Sequence, residues 1–355
     1  MTTANEAERQ EFYDRIGEQA MAPLWETLHQ LVTHEPQTFV RPHKWSYDRV
    51  CRPALMEAGQ LITAREAERR VLILQNPGLV GAAAATRSLY AGLQLLLPGD
   101  VAPAHRHSQS ALRFILEGHG AFTAVNGEKT MMSPGDLVIT PAWSWHDHGN
   151  EGGEPTIWLD ILDIPMVSFF EASFAEAGSV ETQADARPIG DSDLRYGHNL
   201  APVDWRASGG SSPLFNYPYE RTRSVLDGIE RNAPPDPCHG YKLRYVDPGT
   251  GGHVTPTMAA FVQKLPAGLQ TTPYRSSDST IFTVVEGSGV TVIGNEHIEW
   301  EPHDVLVIPS WQTVVHHPHR DAVLFSTSDR AIQEKAGLWR EQRYLPPHTG
   351  SVKCP

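Results

Sequence analysis

The feature that most constrains the fold of this 355-residue chain is that it repeats itself. Gly99 to Pro103 followed by His105 compares with Gly268 to Pro273 followed by Tyr274, and Glu117-Gly118 matches Glu286-Gly287, both at an offset of 169 (268 minus 99; 286 minus 117). Further on, Gly135-Asp136 through Pro141-Ala-Trp143 matches His303-Asp304 through Pro309-Ser-Trp311 at 168 (304 minus 136), so one residue of length separates two copies of a single unit. Within the first copy the apolar runs are short and punctuated by turn residues: Ser88 to Leu97, Leu112 to Glu117, Gly120 to Val125, Leu137 to Thr140 and Thr156 to Leu162. Runs of this length and spacing predict antiparallel strands in a sandwich or small barrel rather than a parallel sheet with crossover helices.

Helical signals precede this β-rich body. Phe12, Ile16, Met21, Leu24, Leu28 and Leu31 recur at mixed spacings of three and four, broken at Pro23, which reads as two helical pieces. Thr63-Ala-Arg-Glu66 is a capping-box pattern, predicting a helix that runs on through Ala-Glu-Arg-Arg before Val71 turns to strand composition. A further helix is expected near Val167 to Gly178, followed by an irregular stretch rich in Pro, Ser and Asp. The expected organisation is an N-terminal helical segment over 1–70, a first barrel over 71–167, a linker with helical pieces over 168–247, a second barrel over 248–330 and a tail over 331–355.

Charge and composition narrow the function. Lys plus Arg number 29 against 42 Asp plus Glu, and no cluster of basic residues offers the footprint that nucleic acid requires. Apolar stretches such as Leu93 to Leu97 fall far short of the roughly 18 residues of a bilayer span. The acidic, polar start, with no basic region leading into an apolar core, and three scattered cysteines without CxxC spacing point to a reducing cytoplasm. The unusual number is 17 histidines, many of them clustered.

Those clusters carry the chemistry. His105 and His107 alternate on a strand, so both project to one face, and His146 arrives from a later strand after the Pro141-x-Trp143 turn. Three imidazoles in this register make a metal site. The run Pro103-Ala-His-Arg-His-Ser-Gln-Ser-Ala-Leu-Arg-Phe114 and the segment Trp143-Ser-Trp-His-Asp-His-Gly-Asn150 carry the paired cupin signature and resemble the gentisate 1,2-dioxygenase family. Asn76-Pro-Gly, Leu89-Tyr-Ala-Gly-Leu-Gln-Leu and Trp158 to Pro165 extend the resemblance over most of the chain. It implies an all-β dominated bicupin, two double-stranded β-helix (jelly-roll) barrels with N-terminal helices. Where many cupins place a glutamate ligand, Ala111 and Leu112 stand instead, leaving three neutral histidines and no carboxylate. In the resembled family such a triad holds Fe(II), one per chain; from the ligands alone zinc is equally suited.

The resemblance further implies that His148 handles a proton beside the metal and that Arg113, at an even spacing from His107, meets a substrate carboxylate; the alternative for Arg113 is an internal salt bridge. Tyr90, Gly92 and Gln94 share one strand face and read as a pocket wall, with Asp160 and Arg69 added by resemblance and Arg70 competing with Arg69 for the inward position. The implied reaction is cleavage of gentisate (2,5-dihydroxybenzoate) by O2 to maleylpyruvate. Salicylate, substituted salicylates and 1-hydroxy-2-naphthoate share its carboxylate and ortho hydroxyl and remain alternatives. So do a non-catalytic cupin that binds a small acid and an oxygen-independent zinc or manganese enzyme. The second copy replaces His105, His107 and His146 with Tyr274, Ser276 and Val314, keeping only His316 at the place of His148, so it is expected to be metal-free and structural. His316, His317 and His319 are expected in a polar loop. The family resemblance suggests a homotetramer.

Overall fold

The computed structural model describes residues 3–206 and 210–344. Residues 3–37 form a unit of two helices, Thr3–Gly17 and Leu24–Leu31, divided as expected around Pro23. The second compact unit, from Thr38 onward, contains both barrels.

Each barrel is two sheets face to face. The first pairs a six-stranded sheet, in the order Asn216–Tyr217, Leu137–Thr140, Ala111–Glu117, Thr156–Leu162, Tyr90–Leu96, Arg70–Ile73, with a five-stranded sheet, in the order Ala175–Ala177, Val101–His107, His146–Asn150, Ala121–Val125, Glu128–Met131. The second repeats this plan with a six-stranded sheet running from His43–Trp45 to Tyr241–Arg244 and a five-stranded one running from Glu296–Trp300 to Glu341–Arg343. The pairings between these strands are antiparallel, and each six-stranded sheet has a register shift, at Ile157/Trp158 against Ala111–Glu117 and at Val284/Glu286 against Ala322–Ser328.

The period-2 alternation explains how a strand can be apolar throughout. Along Tyr90–Leu96, Ala91, Leu93 and Leu95 face away from the barrel into a core shared by the two six-stranded sheets, where Phe114 stacks on Phe325 at 4.2 Å. The even residues face inward, and Leu96 joins Ile115, Met132, Val138 and Trp158 in a separate cluster inside the barrel. Burial on both faces rigidifies these strands, and burying each large side chain contributes on the order of 2 kcal/mol.

Several expected elements differ. The capping box at Thr63 and Glu66 is present with both reciprocal bonds, but its helix spans only Ala64–Ala67, because Glu68 turns to a positive φ of 54° and the chain enters a strand at Arg70. The helix expected at Val167 to Gly178 is the shorter Ile164–Phe169, started by Pro165 in its first turn; Ala175–Ala177 is instead a strand paired with the His105–His107 edge. The stretch read as a linker supplies Asn216–Tyr217 to the first barrel, Tyr241–Arg244 to the second and a 14-residue helix, Tyr219–Asn232, between them in sequence. The stretch read as N-terminal and helical supplies His43–Trp45 to the second barrel. His316 and His317 lie on the strand Val314–Pro318, not in a loop. The tail contributes the helix Arg330–Lys335 and the strand Glu341–Arg343; its last residues, 345–355, lie outside the described region.

Candidate metal centre and active site

The site forms where the two sheets of the first barrel close on each other. His105 and His107 stand on the strand Val101–His107, and His146 sits opposite His105 on the antiparallel neighbour His146–Asn150. A register shift between Ala102 and His105 bends the first strand just before the pair, re-aiming its inward face. Trp143, at a positive φ of 60°, makes the tight turn that returns the chain to His146, and its amide donates to the His107 carbonyl at 2.7 Å, tying the turn to the first two histidines. The ring centroids of His105 and His146 lie 4.0 Å apart and those of His107 and His146 4.8 Å, with one nitrogen of each ring within 4.8 Å of the others.

Backbone carbonyls set which nitrogens converge. Nδ1 of His105 lies 2.7 Å from the Pro103 carbonyl, Nδ1 of His107 2.9 Å from that of Gln109, and Nδ1 of His146 2.9 Å from that of Ser144. A carbonyl only accepts, so each Nδ1 carries the hydrogen and each Nε2 presents a lone pair. The His146 Nε2 is buried with no hydrogen-bond partner. Burial pulls the His105 imidazole down to about 3 and His107 to about 4, with Arg69 and Arg113 respectively adding like-charge repulsion, and it drives His146 well below the ordinary histidine value. Three neutral imidazoles with aligned lone pairs and one orphaned ε-nitrogen fit a divalent transition metal. Among the described residues no other group of three His, Cys, Asp or Glu converges in this way.

His148 lies behind the triad on the same strand, fully enclosed, its ring centroid 5.6 Å from that of His146 and its Nδ1 2.9 Å from the Thr123 hydroxyl. Burial followed by repulsion from Arg113 holds it neutral. Thr123, on the neighbouring strand, escapes a reading of the first copy alone; Thr291, 168 residues later, bonds His316 in the same way and is the signal that finds it. Arg113 is buried inside the barrel, donates through Nη1 to the Thr140 hydroxyl and has its Nε 3.1 Å from Asp160 Oδ1, in ion-pair contact but poorly aligned for a hydrogen bond. The internal salt bridge is therefore real. Burial pushes the Asp160 carboxyl up, opposed by the attraction of Arg113.

Tyr90, Gly92 and Gln94 do share the inward face. The close approach at Gly92 is made by the protein itself: a Cβ there would lie 2.5 Å from Val71 Cγ1 and 2.7 Å from the Tyr90 hydroxyl. Gln94 is buried with its Nε2 unpartnered. The two arginines separate cleanly. Arg70 turns to Asp100, 2.7 Å away, whereas Arg69, still exposed, is near enough to perturb Asp160, Tyr90 and His105.

Two jelly-roll barrels in one chain, the first with a three-histidine group able to hold a metal and the second without one, define a bicupin. Residues 92–162 match the cupin domain model. A gentisate 1,2-dioxygenase of Aquipseudomonas alcaligenes is 54% identical over 336 residues, covering 95% of this chain and 96% of that protein, and a 5-aminosalicylate 1,2-dioxygenase of Comamonas is 36% identical, covering 92% and 88%. The solved salicylate 1,2-dioxygenase of Pseudoaminobacter salicylatoxidans, in a structure with gentisate, superposes with a TM-score of 0.89 at 34% identity, covering 96% and 94% of the two chains. The chain belongs to the gentisate 1,2-dioxygenase family of ring-cleaving cupin dioxygenases.

Proposed function

We propose that the chain cleaves the ring of gentisate with O2 to give maleylpyruvate, using one Fe(II) per chain held by His105, His107 and His146. The observation that carries this reading is the buried triad, its ε-nitrogens freed by three backbone carbonyls, beside a buried arginine and neutral His148. The high identity to a gentisate enzyme favours gentisate within the class. Bound iron supplies an open-sided Lewis-acidic, redox-active centre at which an ortho-hydroxy carboxylate and O2 meet.

The chain's own residues do the rest. Three protein ligands leave room for a chelating acid. The Arg113 guanidinium, held by Asp160 and Thr140, positions the substrate carboxylate, with Arg69 adding positive charge at the rim. Neutral His148, fixed through Nδ1 by Thr123, presents Nε2 to take or return the phenolic proton. Tyr90, Gly92 and Gln94 form the wall that sorts ring substituents, and the buried barrel excludes water from the reacting centre. The family resemblance extends the proposal to a cytoplasmic homotetramer; among the described residues no helix is long and apolar enough to cross a membrane.

Oxygen uptake by the ferrous-reconstituted protein, with gentisate, salicylate and 1-hydroxy-2-naphthoate offered separately, tests the reading. Stoichiometric uptake and a ring-opened product with gentisate is the expected result. Uptake with another of the three moves the substrate assignment, and none with any of them, iron being bound at one per chain, overturns the gentisate reading and turns the search to another aromatic acid or to the oxygen-independent alternatives.

A further inference from the structure

The second barrel is not a filled scaffold. Its interior holds a small, partly open cavity of about 30 Å³, lined among others by Lys242, Gln263, Phe261, Phe282, His316 and Asp278. Gln263 occupies the position of Gln94 in the first barrel (263 minus 169), is only 1% exposed, and has neither its amide nitrogen nor its amide oxygen hydrogen-bonded. Directly across the strand pair from Gln263 stands Lys242, where the first barrel has Val71 opposite Gln94. The Lys242 ammonium lies 4.9 Å from the Phe261 ring centroid and 5.8 Å from that of Phe282, and no carboxylate of the described residues approaches it within ion-pair distance. Asp278 feels it only at longer range, and its Oδ1 accepts from Trp339 Nε1.

His316 completes the set. Trp300 Nε1 donates to the Thr291 hydroxyl oxygen at 2.9 Å, and because that buried hydroxyl meets no other acceptor among the described residues, its own hydrogen goes to His316 Nδ1, 2.8 Å away. Nδ1 accepts, and the remaining hydrogen sits on Nε2. Burial holds this imidazole neutral and pulls the Lys242 ammonium down to about 8, a value at which it still carries charge at neutral pH. An ammonium, an unsatisfied amide and an imidazole N–H, flanked by two aromatic rings, are donors without an acceptor.

We propose that the second barrel binds a small monocarboxylate, its oxygens taken by Lys242 Nζ, Gln263 Nε2 and His316 Nε2 and its short apolar body laid between Phe261 and Phe282. The site lies apart from the metal centre and takes an anion rather than a cation, because Lys242 puts a positive charge where the first barrel has Val71, while Tyr274, Ser276 and Val314 stand in place of the three ligand histidines.

The test is binding of [1-13C]propionate, followed by carbon NMR line broadening, and it is independent of ring cleavage. Wild type and His146→Ala should bind alike, Lys242→Met should bind at least about tenfold more weakly, and Gln263→Glu should abolish binding by giving Lys242 an internal carboxylate. The last variant keeps the shape of the site and is expected to raise Tm, so it decides the matter even if Lys242→Met does not fold. No saturable binding to wild type, binding that survives in Gln263→Glu, or binding lost in His146→Ala would each overturn the proposal.

Discussion

The two barrels show what a duplicated unit keeps and what it gives up. Both keep the tight turn at a tryptophan with positive φ (60° at Trp143, 62° at Trp311), its amide bonded at 2.7 Å to the residue aligned with His107, the residue being Ser276 in the second barrel. Both keep the pairing that sets His105 opposite His146 and Tyr274 opposite Val314, the threonine–histidine bond behind it, and the inward glutamine. The differences that bear on chemistry lie on the inward face. The three ligands become Tyr274, Ser276 and Val314, and the Arg113–Asp160 pair becomes Phe282 and Ser326, the residues at the same ladder positions. Backbone hydrogen bonds and turn conformations specify the barrel, and the inward side chains are free to change without disturbing it.

The sharpest way to break this comparison is to remove one ligand. His146→Ala should lose at least about a hundredfold in metal affinity and all measurable oxygen uptake, read by metal analysis and an oxygen electrode, with the fold intact because Val314 serves at that position in the second barrel. Retention of iron and activity would show that the triad is not the ligand set.

Next in size is the buried ion pair. Arg113→Phe or Asp160→Ser alone leaves an uncompensated buried charge and should cost about 3 to 5 kcal/mol in urea unfolding. The double variant, which installs the second barrel's own pair, should recover most of that stability while remaining inactive with iron bound. A double variant as unstable as the singles would mean that the pair is part of the scaffold after all, and one with unchanged KM would take Arg113 out of substrate binding.

The second barrel's histidine can be separated from the first by acid. His316 is held at about 3 when folded, against roughly 6.5 when unfolded, so the unfolded chain binds the extra proton between those values and stability falls as pH drops below about 6.5. His316→Asn removes this dependence, and the gap between wild type and variant should shrink by about 1.4 kcal/mol per pH unit from 6.5 downward. A gap that stays constant down to pH 4.5 would show that the folded chain does not hold His316 neutral, and that its Nδ1 does not accept from Thr291.

Much of this was legible in the sequence, for reasons that can be located. The first-barrel strands were readable because turn residues bound them and because Tyr90, Gly92 and Gln94 alternate with Ala91 and Leu93. The triad was readable because strand periodicity alone puts His105 beside His107. The helix Arg52–Leu61 falls inside the segment expected to be helical, and Pro53 suits its first turn, where the absent N–H is no loss. The strand Ala175–Ala177 was missed because three exposed residues carry no pattern and only the neighbouring edge makes them a strand. Likewise Arg69 and Arg70 could not be told apart, since the positive φ at Glu68 that orients them depends on where the preceding helix stops. Lys242 was invisible for a related reason: its partner Gln263 is defined by cross-strand register, not by proximity in sequence.

The smallest effect discriminates most finely between the barrels, because it concerns a buried side-chain pair that they share. In the second barrel the Thr291 hydroxyl satisfies two buried groups, Trp300 Nε1 and His316 Nδ1; in the first, Met132 stands at the place of Trp300 and its sulfur lies 3.4 Å from the Thr123 hydroxyl as a weak acceptor. Thr291→Val orphans two strong polar groups and Thr123→Val only one, His148 Nδ1. At about 1 kcal/mol or more for each orphan, Thr291→Val should be the more destabilising of the two by about that amount, with no change in kcat. Thr123→Val should show the reverse balance, a modest loss of stability with kcat lowered roughly ten- to a hundredfold, as His148 loses the bond that fixes its orientation and tautomer. Urea unfolding and steady-state oxygen uptake on the two variants give both numbers. Equal destabilisation with equal activity would mean that the shared bond is only a structural pin in both barrels and that His148 needs no fixing to move a proton.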